Sequence, residues 1–293
     1  MMGRRSWAYA TLVGRYLALF ITVGILASGA LALVPDVRAT DPFLGRWLEN
    51  LRVFLLFDYF TVDPNRGFSV WEVLVAALWR TGFLLLGALT LSLGPALILS
   101  LRIEQSRNPK MSRFTVQFLR SLSNLPVLIW AILFMLVAFQ VAGIVPVFSQ
   151  IREGTGAAVA AAVILPILAL VLGDGALGST LDRLSERVRD VGRSETMLAV
   201  RARGLPEGPF LLRSMVPDLV DEAASKATLF LSGAIVIEVI FEWQGLGWRI
   251  WQALGGVKDY PVILGCVTVV MVLVLGANLA RDLIRFAALP HLR

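Results

Sequence analysis

Five of the six long apolar runs in this sequence contain no formal charge, which makes a membrane-spanning helix the natural fate of each. The runs extend from Tyr16 to Val34, Thr81 to Leu101, Leu122 to Val145, Ala157 to Leu172, Ala227 to Phe241 and Val262 to Ala280, and Glu238 is the one charge among them. A hydrocarbon core of about 30 Å is crossed by about 20 helical residues, so the fourth and fifth runs are short for the task. With 57% hydrophobic residues, 16% charged ones and a mean hydropathy of +0.75, the chain carries more apolar surface than one soluble core of 293 residues would bury. The expected fold is all-α, a polytopic transmembrane helical bundle of about six spans that forms a single domain over residues 1–293.

Arg4, Arg5 and Arg15 precede the first run, and Ala30-Leu31-Ala32 near its end resembles a signal-peptide cleavage site. A signal core is usually about 7 to 15 residues, and this run is longer, so an uncleaved span is expected. With the amino terminus inside, cytoplasmic segments hold nineteen of the 27 basic residues: Arg4, Arg5 and Arg15, then the group from Arg102 through Arg107 and Lys110 to Arg120, eight from Arg183 to Lys226, and finally Arg281, Arg285 and Arg293. The positive-inside bias therefore puts both termini in the cytoplasm. In the long outer segment from Pro35 to Arg80, apolar residues from Phe43 through Trp47, Leu51 and Phe54 to Leu55 recur at helical spacing with Arg46, Glu49, Asn50 and Arg52 between them. That pattern predicts an amphipathic helix on the outer interface with Trp47 at headgroup level, or a cap packed on the outer ends of the bundle.

A net charge of +6 raises nucleic acid as a partner, but the basic residues cluster between apolar runs and not along one face, so no nucleic acid is expected. Cys266 is the one cysteine and His291 the one histidine, which leaves neither a disulfide framework nor a metal cluster. Gly173-Asp174-Gly175-Ala176-Leu177-Gly178 spells GxGxxG and, read on to Ser179-Thr180, nearly spells a phosphate loop. The preceding run is too long for the strand a dinucleotide site needs, and Ser179 stands where a phosphate loop needs lysine. Helix ending and close helix packing explain those glycines better. No nucleophile has a histidine and carboxylate arranged around it, so no enzyme is expected, and Glu238 near a span end is poorly placed for an ion-coupled carrier.

The largest cytoplasmic segment, Ser179 to Lys226, is dense in charge yet patterned as helix by Leu181, Leu184, Val188 and Val191. At its centre, Leu198-Ala199-Val200-Arg201-Ala202-Arg203-Gly204-Leu205-Pro206-Glu207 leads to Pro217, thirteen residues beyond Gly204. Gly204 suits a left-handed turn, and Pro206 and Pro209 suit the first turn of a short helix lying across the membrane plane. Leu205, Phe210, Leu211 and Leu212 would give that helix an apolar face for a partner's groove, with Glu207 and Arg213 at the rim.

This segment resembles the EAA loop of binding-protein-dependent ABC importer permeases, in which two small residues precede a glycine and a proline follows at that spacing. Arg201-Ala202-Arg203-Gly204-Leu205 is similar to the run typical of the dipeptide, oligopeptide and nickel branch. Glu238-Val239-Ile240-Phe241, Gly245-Leu246-Gly247, Asp259-Tyr260-Pro261, Asn278 and Asp282 follow that branch's carboxy-terminal pattern. Upstream the likeness rests on span order and on Leu125-Pro126 and Leu165-Pro166. The chain departs from the pattern at Leu198, Ser214 and Pro217-Asp218.

The resemblance implies a type I ABC importer permease of the bacterial inner membrane that forms half of a pathway for peptides or similar small solutes. It implies a second homologous permease, two ATPase subunits that carry the ATP and Mg, an extracytoplasmic solute-binding protein, and no cofactor on this chain. Arg201, Arg203, Gly204, Leu205, Pro206, Glu207, Phe210, Leu211, Arg213 and Pro217 would couple to the ATPase. Glu238, Phe241, Gly245, Gly247 and Asp259 would serve structurally at an outer gate. A channel or secondary-transporter subunit is the alternative.

Overall fold

Long apolar segments close their backbone hydrogen bonds internally as helices, because lipid offers the peptide groups no partner. The computed structural model describes residues 2–34, 42–59, 69–105, 109–154, 156–255 and 259–288, which are helical apart from short connections and contain no strand. Arg107, His291 and Arg293 lie outside these residues, as do 35–41 and 60–68 of the outer segment.

The helices are α1 (Met2–Leu33), α2 (Phe43–Leu56), α3 (Val70–Gln105), α4 (Pro109–Ser123), α5 (Val127–Ala142), α6 (Gln150–Glu153), α7 (Gly156–Leu172), α8 (Ala176–Arg193), α9 (Glu195–Ala202), α10 (Glu207–Ile240), α11 (Leu246–Gly255) and α12 (Tyr260–Ala288). Among the described residues, five helices are long and apolar enough to cross a membrane, or six when α4 and α5 are taken as one bent span. The all-α, multi-pass expectation is met.

Helices α1, α3 and α12 extend beyond the first, second and sixth runs, and three further differences change the architecture. The third run does not begin a helix at Leu122: α4 ends at Ser123, α5 starts at Val127, and the two meet at 90°. Pro126 explains the break, since its ring disfavours helical backbone at the residue before it. The fourth run continues past Leu172 through a turn at Gly173–Gly175 into α8, with Asp174 and Gly175 at φ 53° and 71°. The fifth is only the C-terminal part of α10, a 34-residue helix that begins at Glu207 and carries Pro217 inside it. The charged stretch before Lys226 is thus largely helix.

The two breaks dock on each other. Asp174 N–H donates to Leu125 O at 3.0 Å, and its carboxylate accepts from Val127 N–H at 3.3 Å. A Cβ on Gly173 would lie 2.7 Å from Val127 Cα, and one on Gly178 would lie 2.6 Å from Ser123 Oγ. In this fold, then, the GxGxxG glycines are where a helix break lets another backbone approach.

Three apolar layers follow. A central one joins Leu84, Trp130, Leu170, Phe230, Ile237 and Phe241 from α3, α5, α7, α10 and the end of α10. Toward one end, Tyr59, Leu74, Leu246, Val262 and Cys266 pack together. Toward the other, Ala96, Leu181, Leu184, Val188 and Met215 join the ends of α3, α8 and α10, so the apolar stripe read in residues 181–191 is the buried face of α8. At about 1.5 Å per residue the 36 residues of α3 measure about 54 Å, well beyond a hydrocarbon core of about 30 Å.

The amphipathic helix read at residues 43–55 exists as α2, and it packs against α1. It runs back along α1: Arg46 donates to Val34 O, Trp47 Nε1 to Ser28 Oγ at 3.2 Å and Asn50 to Ser28 O, while Phe54 fills the space beside Gly24.

Candidate coupling turn and outer clasp

Ser194 caps α9 by accepting from Met197 N–H at 3.2 Å. The helix is only eight residues long because Gly204, at φ +63°, reverses the chain. Leu205 N–H reaches back to Val200 O at 3.1 Å and Gly204 N–H to Arg201 O at 3.0 Å, which together form a Schellman closure. Pro206 then stands at the N-cap of α10 and Pro209 in its first turn. Arg201 donates to Glu207 across the turn at 3.0 Å, and that hydrogen bond holds the pKa of the Arg201 guanidinium above its ordinary value. Arg203 and Arg213 are exposed.

The turn is as expected, but its apolar face is different. Leu211 packs with Met215 against α3 and α8, and Phe210 is half-buried, so Leu211 is spent inside the protein. Leu198, Leu205, Leu212 and Val216 are exposed instead. On α10 the row 211/215 faces α8, and the row 212/216 therefore faces away. A groove of ≈ 290 Å³ opens beside the turn between Leu101, Val188, Met197 and Leu211, with Arg201 and Glu207 at its edge. No separate short helix crosses from Arg201 to Arg213, because residues 207–213 are the first turns of α10.

At the other end of α10, Glu238 is fully buried and does not reach an interface. Thr81 Oγ1 donates to its Oε1 at 2.5 Å, while Gly247 N–H and Trp248 N–H donate to Oε2 at 2.6 and 3.2 Å. Thr81 Oγ1 also accepts from Leu246 N–H at 2.9 Å. One carboxylate thus ties α3, α10 and the start of α11, where unpaired N–H groups favour negative charge. A Cβ on Gly245 would lie 2.2 Å from Glu238 Oε1, and one on Gly247 would lie 2.6 Å from Ile235 Cα, so both glycines are required by the close approach. Phe241 is buried, and its carbonyl accepts from Phe148 N–H at 3.0 Å. Asp259 stands apart from this clasp and caps α12 through Val262 N–H at 3.3 Å.

Sequence reading missed a buried charge cluster between α8 and α10. Glu222 and Lys226 are 3% and 4% exposed and lie 3.5 Å apart. Thr180 Oγ1 and Arg183 each donate to Glu222 at 2.9 Å, and Lys226 donates to Ser179 Oγ at 2.6 Å. In the sequence Lys226 reads as the last cation of a cytoplasmic loop. Opposite charges four apart were the available signal, together with hydroxyls at Ser179 and Thr180.

No protein-family model matches the chain. Against curated proteins it is 31% identical over 134 residues to the dipeptide transport system permease protein DppB of Escherichia coli (strain K12), a match that covers 44% of this chain and 39% of that one. It is 30% identical over 135 residues to the di/tripeptide transport system permease protein DppB of Pseudomonas aeruginosa (strain UCBPP-PA14), covering 44% and 39%. To the oligopeptide transport system permease protein AppB of Bacillus subtilis (strain 168) it is 31% identical over 125 residues, covering 41% and 39%. The matched segment thus spans about two fifths of each relative's length. Over that segment the chain is similar to permease proteins of dipeptide, di/tripeptide and oligopeptide transport systems.

Proposed function

We propose that this chain is a transmembrane permease subunit of an ATP-driven importer in the bacterial inner membrane, and that it supplies half of a pathway for peptides or similar small solutes. The observation that carries the reading is the turn around Gly204: a rigidly closed reversal that presents Leu198, Leu205, Leu212 and Val216 outward while Leu211 and Met215 anchor it to α3 and α8. Exposed apolar side chains rimmed by Arg201, Arg203, Glu207 and Arg213 suit a contact with an ATPase subunit. α10 runs as one helix, with Pro217 inside it, from that turn to the Glu238 clasp, so displacement at the ATPase reaches the far side of the bundle through one element.

In this reading residues 1–293 act as one permease domain with both termini and the Gly204 turn in the cytoplasm. The partners are a second homologous permease, two ATPase subunits that hold ATP and Mg, and an extracytoplasmic solute-binding protein. This chain performs no chemistry. The test is to purify the assembly from native membranes, reconstitute it in liposomes, and measure ATP hydrolysis with and without peptide-loaded binding protein. Stimulated hydrolysis with peptide accumulation is expected. Uptake driven by an ion gradient in an assembly without ATPase would overturn the proposal in favour of a secondary transporter.

A further inference from the structure

The position of α2 against α1 and α12 carries a consequence for the membrane. Contacts run in order down α1: Arg46 meets the carbonyl of Val34, Trp47 meets Ser28, and the Phe54 ring occupies the space beside Gly24, while Phe57 stacks on Phe20 at 6.1 Å. Two helices in such a ladder are antiparallel and side by side. Phe54 also packs with Leu264 and Met271 of α12, and Tyr59 Oη lies 3.0 Å from Thr268 Oγ1.

Depth follows from the opposite end of α1. Tyr16 Oη donates to Asp282 at 2.7 Å, beside an ionic cluster in which Arg285 pairs with Asp221 at 2.9 Å and Arg281 with Asp282 at 3.1 Å. Charges so gathered mark a membrane boundary. Counting about 1.5 Å per residue from that level, Gly24 lies about 12 Å and Thr268 about 21 Å into a core of about 30 Å. The far end of α2 therefore sits near mid-membrane.

That end closes its own backbone hydrogen bonds. Phe57 N–H bonds Phe54 O and Asp58 N–H bonds Val53 O, closing the helix on itself. Phe57 does so at φ 50°, which is unusual for a bulky residue, and its partly exposed ring meets those of Phe20, Phe54 and Tyr59 on one side.

We infer that α2 enters the membrane from the outer side and ends near its middle, alongside α1, with Leu44, Leu48 and Leu55 against lipid acyl chains. These three leucines are exposed on one stripe of α2, beside a spanning helix whose own exposed face is apolar. Glu49 and Arg52, exposed next to the stripe, have stems that carry charge toward the headgroups. The sidedness rests on the orientation proposed above; the depth does not.

Cys266 is the chain's one cysteine and is fully buried, so spin labels can be attached singly to this chain at Leu44→Cys, Leu48→Cys and Leu55→Cys before it is assembled with its partners. In phosphatidylcholine liposomes, collision with oxygen relative to a water-soluble nickel chelate should rise several-fold from position 44 to 55. Gly24→Leu, which would fill the space of the Phe54 ring, should flatten that gradient. Equal chelate access at the three sites would mean a surface helix and overturn the inference. Labels immobile and shielded from both reagents would mean a protein partner in place of lipid and would overturn it too. The readout needs neither ATP nor transport, so a wrong transport mechanism leaves the gradient intact.

Discussion

Replacing Gly204 by valine isolates the aim of the coupling turn from the stability of the bundle. A Cβ at Gly204 meets nothing within 4 Å, so the substitution creates no collision with neighbouring atoms. Its cost is conformational: at φ +63° an L-residue loses about 1 to 2 kcal/mol, and a β-branched one fares worse. Relief requires giving up the bonds from Leu205 N–H to Val200 O and from Gly204 N–H to Arg201 O, each worth about 0.5 to 1.5 kcal/mol net. Either route charges about 1 to 3 kcal/mol to the geometry that aligns Leu205 with Leu212. If ATPase binding needs that geometry, affinity falls by roughly 5- to 150-fold. The assay is titration of the reconstituted permease with ATPase subunits, alongside peptide uptake. Gly204→Val should reach the membrane in normal yield with a melting temperature lowered by only a few degrees, yet bind ATPase poorly and transport little. Gly204→Asn, which tolerates the left-handed region, should retain much of both. Normal association and transport by the valine variant would refute the reasoning.

Other expectations follow from the burial of polar groups. Removing Glu238 as Glu238→Ala leaves Thr81, Gly247 and Trp248 without their acceptor, and should destabilise the bundle by about 3 kcal/mol or more in thermal unfolding. A variant that melts like the native protein would exclude the clasp. At the α8–α10 contact, Lys226→Met or Glu222→Leu alone should cost about 3 to 5 kcal/mol, whereas the pair together should recover much of that loss; additive losses in the double variant would count against a shared ion pair. A reporter fused after Glu207 should signal from the cytoplasm, and an extracytoplasmic signal would invert the assigned topology.

The existence of the spans was legible because lipid demands long uncharged runs, and α7 falls within a residue of its expected bounds. What an apolar run cannot reveal is a change of direction. Leu122 and Leu125 continue the hydrophobic pattern across the α4–α5 bend, and only Asn124-Leu125-Pro126 hinted at a turn. In α10 the opposite error arose, since Asp218, Asp221, Glu222 and Lys226 look like a solvated loop until Glu222 and Lys226 are found paired in the interior. Amphipathy located α2 but did not say what its faces met, because the Phe54 pocket is made by the absence of a side chain at Gly24. At the coupling turn, the glycine and prolines were readable one by one. The choice between Leu211 and Leu212 as the exposed residue was not, because it depends on the rotation of α10 against α8.

The buried charge cluster divides α10 in an instructive way. From the midpoint of Glu222 and Lys226 to Glu207 is about 25 Å along the helix axis, and from the same point to Glu238 about 21 Å. A rod gripped near its centre turns as a seesaw with nearly equal arms. A sideways push at the Glu207 end would then return at the Glu238 end with similar amplitude and opposite sense, without any change in the rod itself. Pro217, which breaks the backbone ladder within the Glu207 arm, is the place where bending would waste that stroke. Paired distance labels on the two arms during ATP turnover should move in opposition, and arms that move together would show that the grip is no fulcrum.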